Sequence, residues 1–140
     1  MNILYTAEAT AWGGREGRSA TTRGNLDLQL AVPKELGGPG GSDTNPEELF
    51  ALGYSSCFHS ALKLIAQREK VDVSESAITA RVGLGMKDDG AFNIAVELEA
   101  ELPGLPHDQA LALVEEAHKV CPYSNATRGN VEVNLTVVES

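Results

Sequence analysis

One stretch, from Asn45 to about Glu69, constrains the fold more than any other, because it carries both the start signal and the periodicity of a single long helix. Asn45 suits the N-cap, where a side-chain oxygen accepts from a first-turn amide that has no partner in the helix. Pro46 fits the first helical position, and Glu47 and Glu48 stand at the positive end of the helix dipole. Glu48 follows Asn45 by three residues, as a capping box requires. Leu49, Phe50, Gly53, Cys57, Ser60, Ala61 and Leu64 then recur at steps of three or four, a small-to-apolar stripe with Cys57 in its middle. Lys63, Arg68 and Lys70 complement the C-terminal end.

The flanks alternate with period two instead. Residues 3–12 read as a strand, with Ile3, Tyr5, Ala7 and Ala9 on one face and Thr6, Glu8 and Thr10 on the other. The glycine-rich run from Gly13 to Arg18 reads as a turn. Residues 26–31 form a strand, and residues 33–45, with their prolines and glycines, a loop. Residues 76–87 and 92–102 form a hairpin through Asp88-Asp89-Gly90. Residues 106–120 give a second helix, with Ala110, Leu111, Leu113, Val114 and Ala117 inward, which Pro122 cannot continue. Val131, Val133, Leu135 and Val137 mark a final half-buried strand. This order predicts an α+β domain, an antiparallel sheet packed with the long central helix. At 140 residues and 42% apolar composition, one domain over 1–140 has enough chain to bury a core.

A net charge of −9 offers no electrostatic footprint for nucleic acid or an anionic membrane, so neither is expected as a partner. No continuous apolar run approaches the roughly 18 residues of a membrane span. The opening residues lack a basic segment followed by an apolar one, so no secretory signal is expected and the cytoplasm is the expected address.

Cys57 and Cys121 are too few for a disulfide scaffold. They read either as two unrelated buried thiols or as a redox couple. A thiol reacts as its thiolate, and burial on an apolar helix face raises its pKa. Cys57 lies roughly three turns into its helix, too far for the dipole to help much. His59 is two positions on, nearly on the opposite face. His59, His107 and His118 are expected at the surface or its boundary. His118 and Cys121 are three apart, but two ligands do not make a metal site, and neither metal nor cofactor is expected. Gly37, Gly38, Gly40 and Gly41 lack the Lys-Ser or Lys-Thr of a phosphate loop. Cys121, just before Pro122, has two readings. At a helix start it favours the thiolate and exposes its sulfur, or Cys-Pro merely ends one helix and starts a short turn.

Three stretches together resemble one family. Thr44-Asn45-Pro46-Glu47-Glu48-Leu49-Phe50-Ala51-Leu52-Gly53-Tyr54-Ser55-Ser56-Cys57-Phe58 is similar to the first cysteine motif of the organic hydroperoxide resistance proteins, a branch of the OsmC-like superfamily. Cys121-Pro122-Tyr123-Ser124-Asn125-Ala126-Thr127-Arg128-Gly129-Asn130 is similar to that branch's second cysteine motif, and Gly13-Gly14-Arg15-Glu16-Gly17-Arg18 to its arginine turn. The resemblance implies a thiol peroxidase acting on alkyl and fatty-acid hydroperoxides. It makes Cys57 the peroxidatic cysteine and Cys121 the resolving one, joined as a disulfide during turnover. It has Arg15 lower the Cys57 pKa and orient the peroxide, with Glu47 holding Arg15. It implies an intertwined homodimer with the active site at the subunit interface, and a lipoylated protein or other dithiol as reductant.

Helix geometry bears on the dimer. Glu47 and Cys57 are ten positions apart on one helix, roughly 15 Å of axial rise. If Glu47 belongs to the site of Cys57, as the resemblance implies, either the helix breaks between them or Glu47, and Arg15 with it, comes from the other subunit. Two other functions fit the same residues. One is a peroxide-sensing or ligand-binding domain without turnover. The other is a structural or stress-related interaction protein with inert thiols.

Overall fold

The computed structural model describes residues 1–138. The chain divides into two compact units, Met1–Leu49 and Phe50–Ser140. The long helix, α1, spans Pro46–Glu69 without interruption. Its start is capped as its sequence dictates: the Glu48 amide donates to Asn45 Oδ1 at 2.8 Å. The reciprocal half of the capping box is absent, because the Glu48 carboxylate accepts from Thr44 Oγ1 at 2.9 Å instead. The helix ends where Lys70 takes a left-handed conformation, φ 58°.

The first unit is a three-stranded antiparallel meander of β1 (Ala9–Trp12), β2 (Arg18–Thr21) and β3 (Asp27–Gln29). The strand expected over 3–12 is confined to its last four residues. Its partner β2 ends at Thr21, Thr22 gives one further bond to the Glu8 carbonyl, and the chain then turns. Residues 3–7 face no strand, and backbone without a partner strand forms no ladder. β2 itself, a polar Arg-Ser-Ala-Thr, shows no apolar alternation in the sequence. β3 is shorter than expected: the Leu30 amide gives one further bond to the Gly17 carbonyl at 2.8 Å, and Leu30 also bridges Thr44. Leu30 is also the buried apolar side chain among residues 1–49.

The second unit pairs β4 (Ala77–Met86) with β5 (Phe92–Glu101) as the expected hairpin, with Gly90 at φ 85° in its turn. Then come α2 (His107–Val120), α3 (Pro122–Thr127) and β6 (Val133–Val138). β6 lies beside β5 but parallel to it. The expectation of an antiparallel sheet is therefore corrected twice: there are two three-stranded sheets, and this one is mixed. The cause is the crossover. A strand that returns after a helical connection re-enters in the direction of the strand it left.

The core of this unit joins Tyr54, Phe58, Leu62 and Ile65 of α1, Val96, Leu98 and Ala100 of β5, Ala110, Leu113, Val114 and Ala117 of α2, and Cys121. The buried face of α1 is Tyr54, Phe58, Ala61, Leu62, Ile65 and Ala66. The expected stripe through Gly53, Cys57, Ser60 and Leu64 lies to one side of it, half-buried to exposed, with Leu64 42% exposed. Large rings decide the rotation. Burying Phe58 and Tyr54 removes far more apolar area from water than burying Gly53 and Ser60, at about 25 cal/mol per Å². By length and composition α1 is also long and apolar enough to cross a membrane. The sequence hides this because the apolar residues are interrupted by Gly, Ser and Cys rather than continuous.

Candidate functional site

Two constellations hold the four residues singled out in the sequence, one in each unit. In the first unit Arg15 sits in a 3₁₀ turn, Gly14–Glu16, between β1 and β2. The turn requires its glycines. Gly13 has φ 81°, and a Cβ on Gly17 would lie 1.8 Å from the Trp12 carbonyl oxygen. Glu47 is the second residue of α1. The two side chains meet as a fork: Arg15 Nη1 donates to Glu47 Oε2 at 2.7 Å, and Nη2 to Oε1 at 2.6 Å. The hydrogen bonds from Arg15 hold the Glu47 carboxyl below the usual carboxylate range despite partial burial, and Glu47 raises Arg15 in return. Arg18, the other cation of this turn, is spoken for. It makes its own fork on Asp27 at 2.6 and 2.9 Å and stacks 4.8 Å above the Trp12 ring.

In the second unit Cys57 and Cys121 face each other as free thiols, with Sγ atoms 3.6 Å apart. Cys57 is half-buried. Cys121 stands at a helix start but is fully buried, so the reading in which that position exposes its sulfur does not hold. The residue caps α2 and α3 at once, so its backbone turns the corner while its side chain points into the core. Burial pushes the Cys57 thiol up, and the neighbouring Cys121 pushes the same way. A hydrogen bond from the Tyr123 backbone opposes them.

Sequence reasoning missed the aromatic wall beside this pair. The rings of Phe50, Tyr54 and Tyr123 pack with centroids 5.7 to 5.9 Å apart. Gly53 makes room for them, since a Cβ there would stand 2.9 Å from the Tyr123 hydroxyl. The available signal was that glycine, one helical turn before Cys57 in an otherwise good helix. His59 and His118 are half-buried, bonded to Ser76 and Ser124, and both are held low chiefly by burial. Among the described residues no cluster of three or more His, Cys, Asp or Glu could hold a metal.

The OsmC-like protein family matches residues 38–136. The chain is 51% identical over 136 residues to the organic hydroperoxide resistance protein of Xanthomonas axonopodis pv. citri, covering 96% of this chain and 95% of that one. It is 44% identical to the organic hydroperoxide resistance protein OhrA of Bacillus subtilis, with 97% of each chain covered. The crystal structure of an organic hydroperoxide resistance protein from Elizabethkingia anophelis, with thiocyanate bound, superposes with a TM-score of 0.94 at 49% identity over the full length of both chains. The chain therefore belongs to the OsmC-like family, among its organic hydroperoxide resistance proteins.

Proposed function

We propose that the protein is a cysteine-based peroxidase that reduces alkyl and fatty-acid hydroperoxides to alcohols in the cytoplasm. The observation that carries this reading is the 3.6 Å approach of the two free thiols, one half-buried and one fully buried. The Cys57 thiolate attacks the distal peroxide oxygen, the O–O bond breaks, and the alkoxide leaves as alcohol after taking a proton. Cys57 is then a sulfenic acid. Cys121 attacks that sulfur, water leaves, and a disulfide remains. A lipoyl-type dithiol restores both thiols by exchange. The rings of Phe50 and Tyr123 favour an alkyl chain over hydrogen peroxide, because they supply apolar contact and few polar partners.

Burial alone leaves Cys57 a poor thiolate. Arg15 supplies the missing cation, and Glu47 fixes its fork. Since α1 runs unbroken, Glu47 stands about 15 Å along the axis from Cys57 on its own helix. In this proposal the working form is an intertwined homodimer, and Arg15 and Glu47 complete the Cys57 site of the other subunit. The raised Cys57 thiol of the single chain also fits a second reading, a sensor oxidised once without turnover. Peroxide consumption decides between them. Wild type should turn over cumene hydroperoxide faster than hydrogen peroxide, with dihydrolipoamide far better than glutathione, and Cys57→Ser should be inactive. A single stoichiometric oxidation followed by no turnover would favour the sensor.

A further inference from the structure

Behind the two sulfurs lies a row of buried polar groups that the proposed chemistry does not use. The Tyr54 hydroxyl is 2.7 Å from Ser124 Oγ and 3.3 Å from Thr127 Oγ1. Ser124 Oγ is also 2.7 Å from His118 Nδ1, and Thr127 Oγ1 donates to the Ser124 carbonyl at 3.1 Å. Tyr54, Ser124 and Thr127 are buried, Tyr54 and Ser124 completely. Each hydroxyl has one proton, so all four bonds form together in only one order. Thr127 donates to the carbonyl, Tyr54 to Thr127, Ser124 to Tyr54, and His118 Nδ1–H to Ser124. Both the neutral Nδ1–H tautomer and the imidazolium supply that last donor.

The placement of these groups gives them a role. His118 stands one turn before Cys121 in α2, and Ser124 three residues after it in α3, so their bond braces the corner whose apex is Cys121. Tyr54 stands one turn before Cys57 in α1, so its hydroxyl ties that corner to the helix carrying the other sulfur. Arg128 adds a strut, with Nη2 donating to the His118 carbonyl at 2.6 Å. The geometry points to the His118–Ser124–Tyr54 chain as a clamp that sets the separation of Cys57 and Cys121 and so the ease of closing the disulfide between them. A wholly apolar packing of these helices would hold them together but leave the corner free to shift by the ångström or so that separates thiol contact from a bond. The side chains act through the cysteines, as positioning residues.

This inference rests on reading the two cysteines as a pair that closes. The test uses the full-length protein in oxidised and reduced glutathione, without peroxide. Cys57 thiolate attacks glutathione disulfide and releases one glutathione; Cys121 then attacks Cys57 Sγ and releases the second. The equilibrium gives the effective concentration of Cys121 toward Cys57. Ser124→Ala, Tyr54→Phe and His118→Leu should each lower it about tenfold or more, while His118→Asn, which keeps a donor near the Nδ1 position, should stay within about threefold of wild type. Thermal melting of the same samples separates this from unfolding, and the half-buried His118 pair keeps the comparison valid should Ser124→Ala fold poorly. Folded variants with an unchanged effective concentration, or equal loss in His118→Asn and His118→Leu, overturn the clamp. A wild type that forms no Cys57–Cys121 disulfide at all overturns instead the pair on which it rests.

Discussion

Arg15 and Glu47 stand 32 positions apart in sequence and meet through two parallel hydrogen bonds, at 2.7 and 2.6 Å, with the Arg15 side chain still 36% exposed. A fork so exposed adds little to stability, on the order of 0–1 kcal/mol. It does fix a guanidinium in one orientation while the side chain keeps part of its surface in solvent. Arg15→Ala should therefore keep a near-native melting temperature while losing about 100-fold or more in peroxidase kcat/KM. Arg15→Lys should not rescue it, because an ammonium cannot span both carboxylate oxygens. The rate of Cys57 alkylation between pH 5 and 8 should fall in both variants; an unchanged rate would separate Arg15 from the thiol.

The subunit assignment has its own test. Cys57→Ser and Glu47→Ala chains should each be inactive alone. Mixed and allowed to exchange, they should regain activity, because one site of the mixed dimer has an intact Cys57 from one chain and an intact Glu47 from the other. If exchange is demonstrated and no activity returns, Glu47 works within its own chain.

Stoichiometric cumene hydroperoxide should remove two hydrogens from the intact protein by mass spectrometry, as Cys57 and Cys121 join. In Cys121→Ser the same treatment should leave sulfenic and then sulfinic acid on Cys57. Finding Cys57 overoxidised in wild type at one equivalent of peroxide, with Cys121 still a thiol, would remove Cys121 from the resolving role.

Gly17→Ala should cost on the order of 3 kcal/mol locally, because its Cβ would stand 1.8 Å from the Trp12 carbonyl oxygen and backbone must move. The turn carrying Arg15 should then lose its geometry and the activity should fall as in Arg15→Ala. Full activity in Gly17→Ala would mean that the turn tolerates rearrangement.

Burial holds His59 and His118 below the usual histidine range, so both stay neutral in the folded chain where the unfolded chain has begun to take up protons. Stability from this source is complete above about pH 6.5 and is lost as pH falls below it. Glu47 and Asp27, held low by their arginine partners, lose theirs only as pH falls through the acidic range below about 4. The urea midpoint should therefore drop between pH 7.5 and 5.5, and less steeply in His118→Asn. Equal midpoints at the two pH values would show that the folded chain protonates these rings freely.

Local signals in the sequence translated well into structure. Asn45-Pro46 marks the start of α1 to the residue, and Asp88-Asp89-Gly90 marks the hairpin, because caps and turns depend on a few neighbouring atoms. What depends on distant partners was not legible. Which face of α1 is buried follows from Tyr54 and Phe58 outweighing Gly53 and Ser60 against a sheet whose strands begin only at Ala77 and end at Val138. The direction of β6 follows from the path of α2 and α3, which its own alternation does not encode. The same division applies to the candidate site. Motifs picked out Arg15, Glu47, Cys57 and Cys121, but the ring wall of Phe50 and Tyr123 and the buried hydroxyl of Tyr54 exist only once α1 and α3 meet.

The unequal burial of the two sulfurs fixes the order in which outside reagents can reach them. Cys57 is open to solvent on one side, while Cys121 is at 0% exposure behind it. In the proposed cycle, an incoming dithiol would therefore attack the Cys57 sulfur of the joined pair, with Cys121 as the departing thiolate. The sheltered thiol would then be released at a position with no solvent exposure, out of reach of peroxide and of an alkylating agent. Repeated oxidation over the lifetime of the protein would accumulate its irreversible damage on one sulfur and leave the other unmarked.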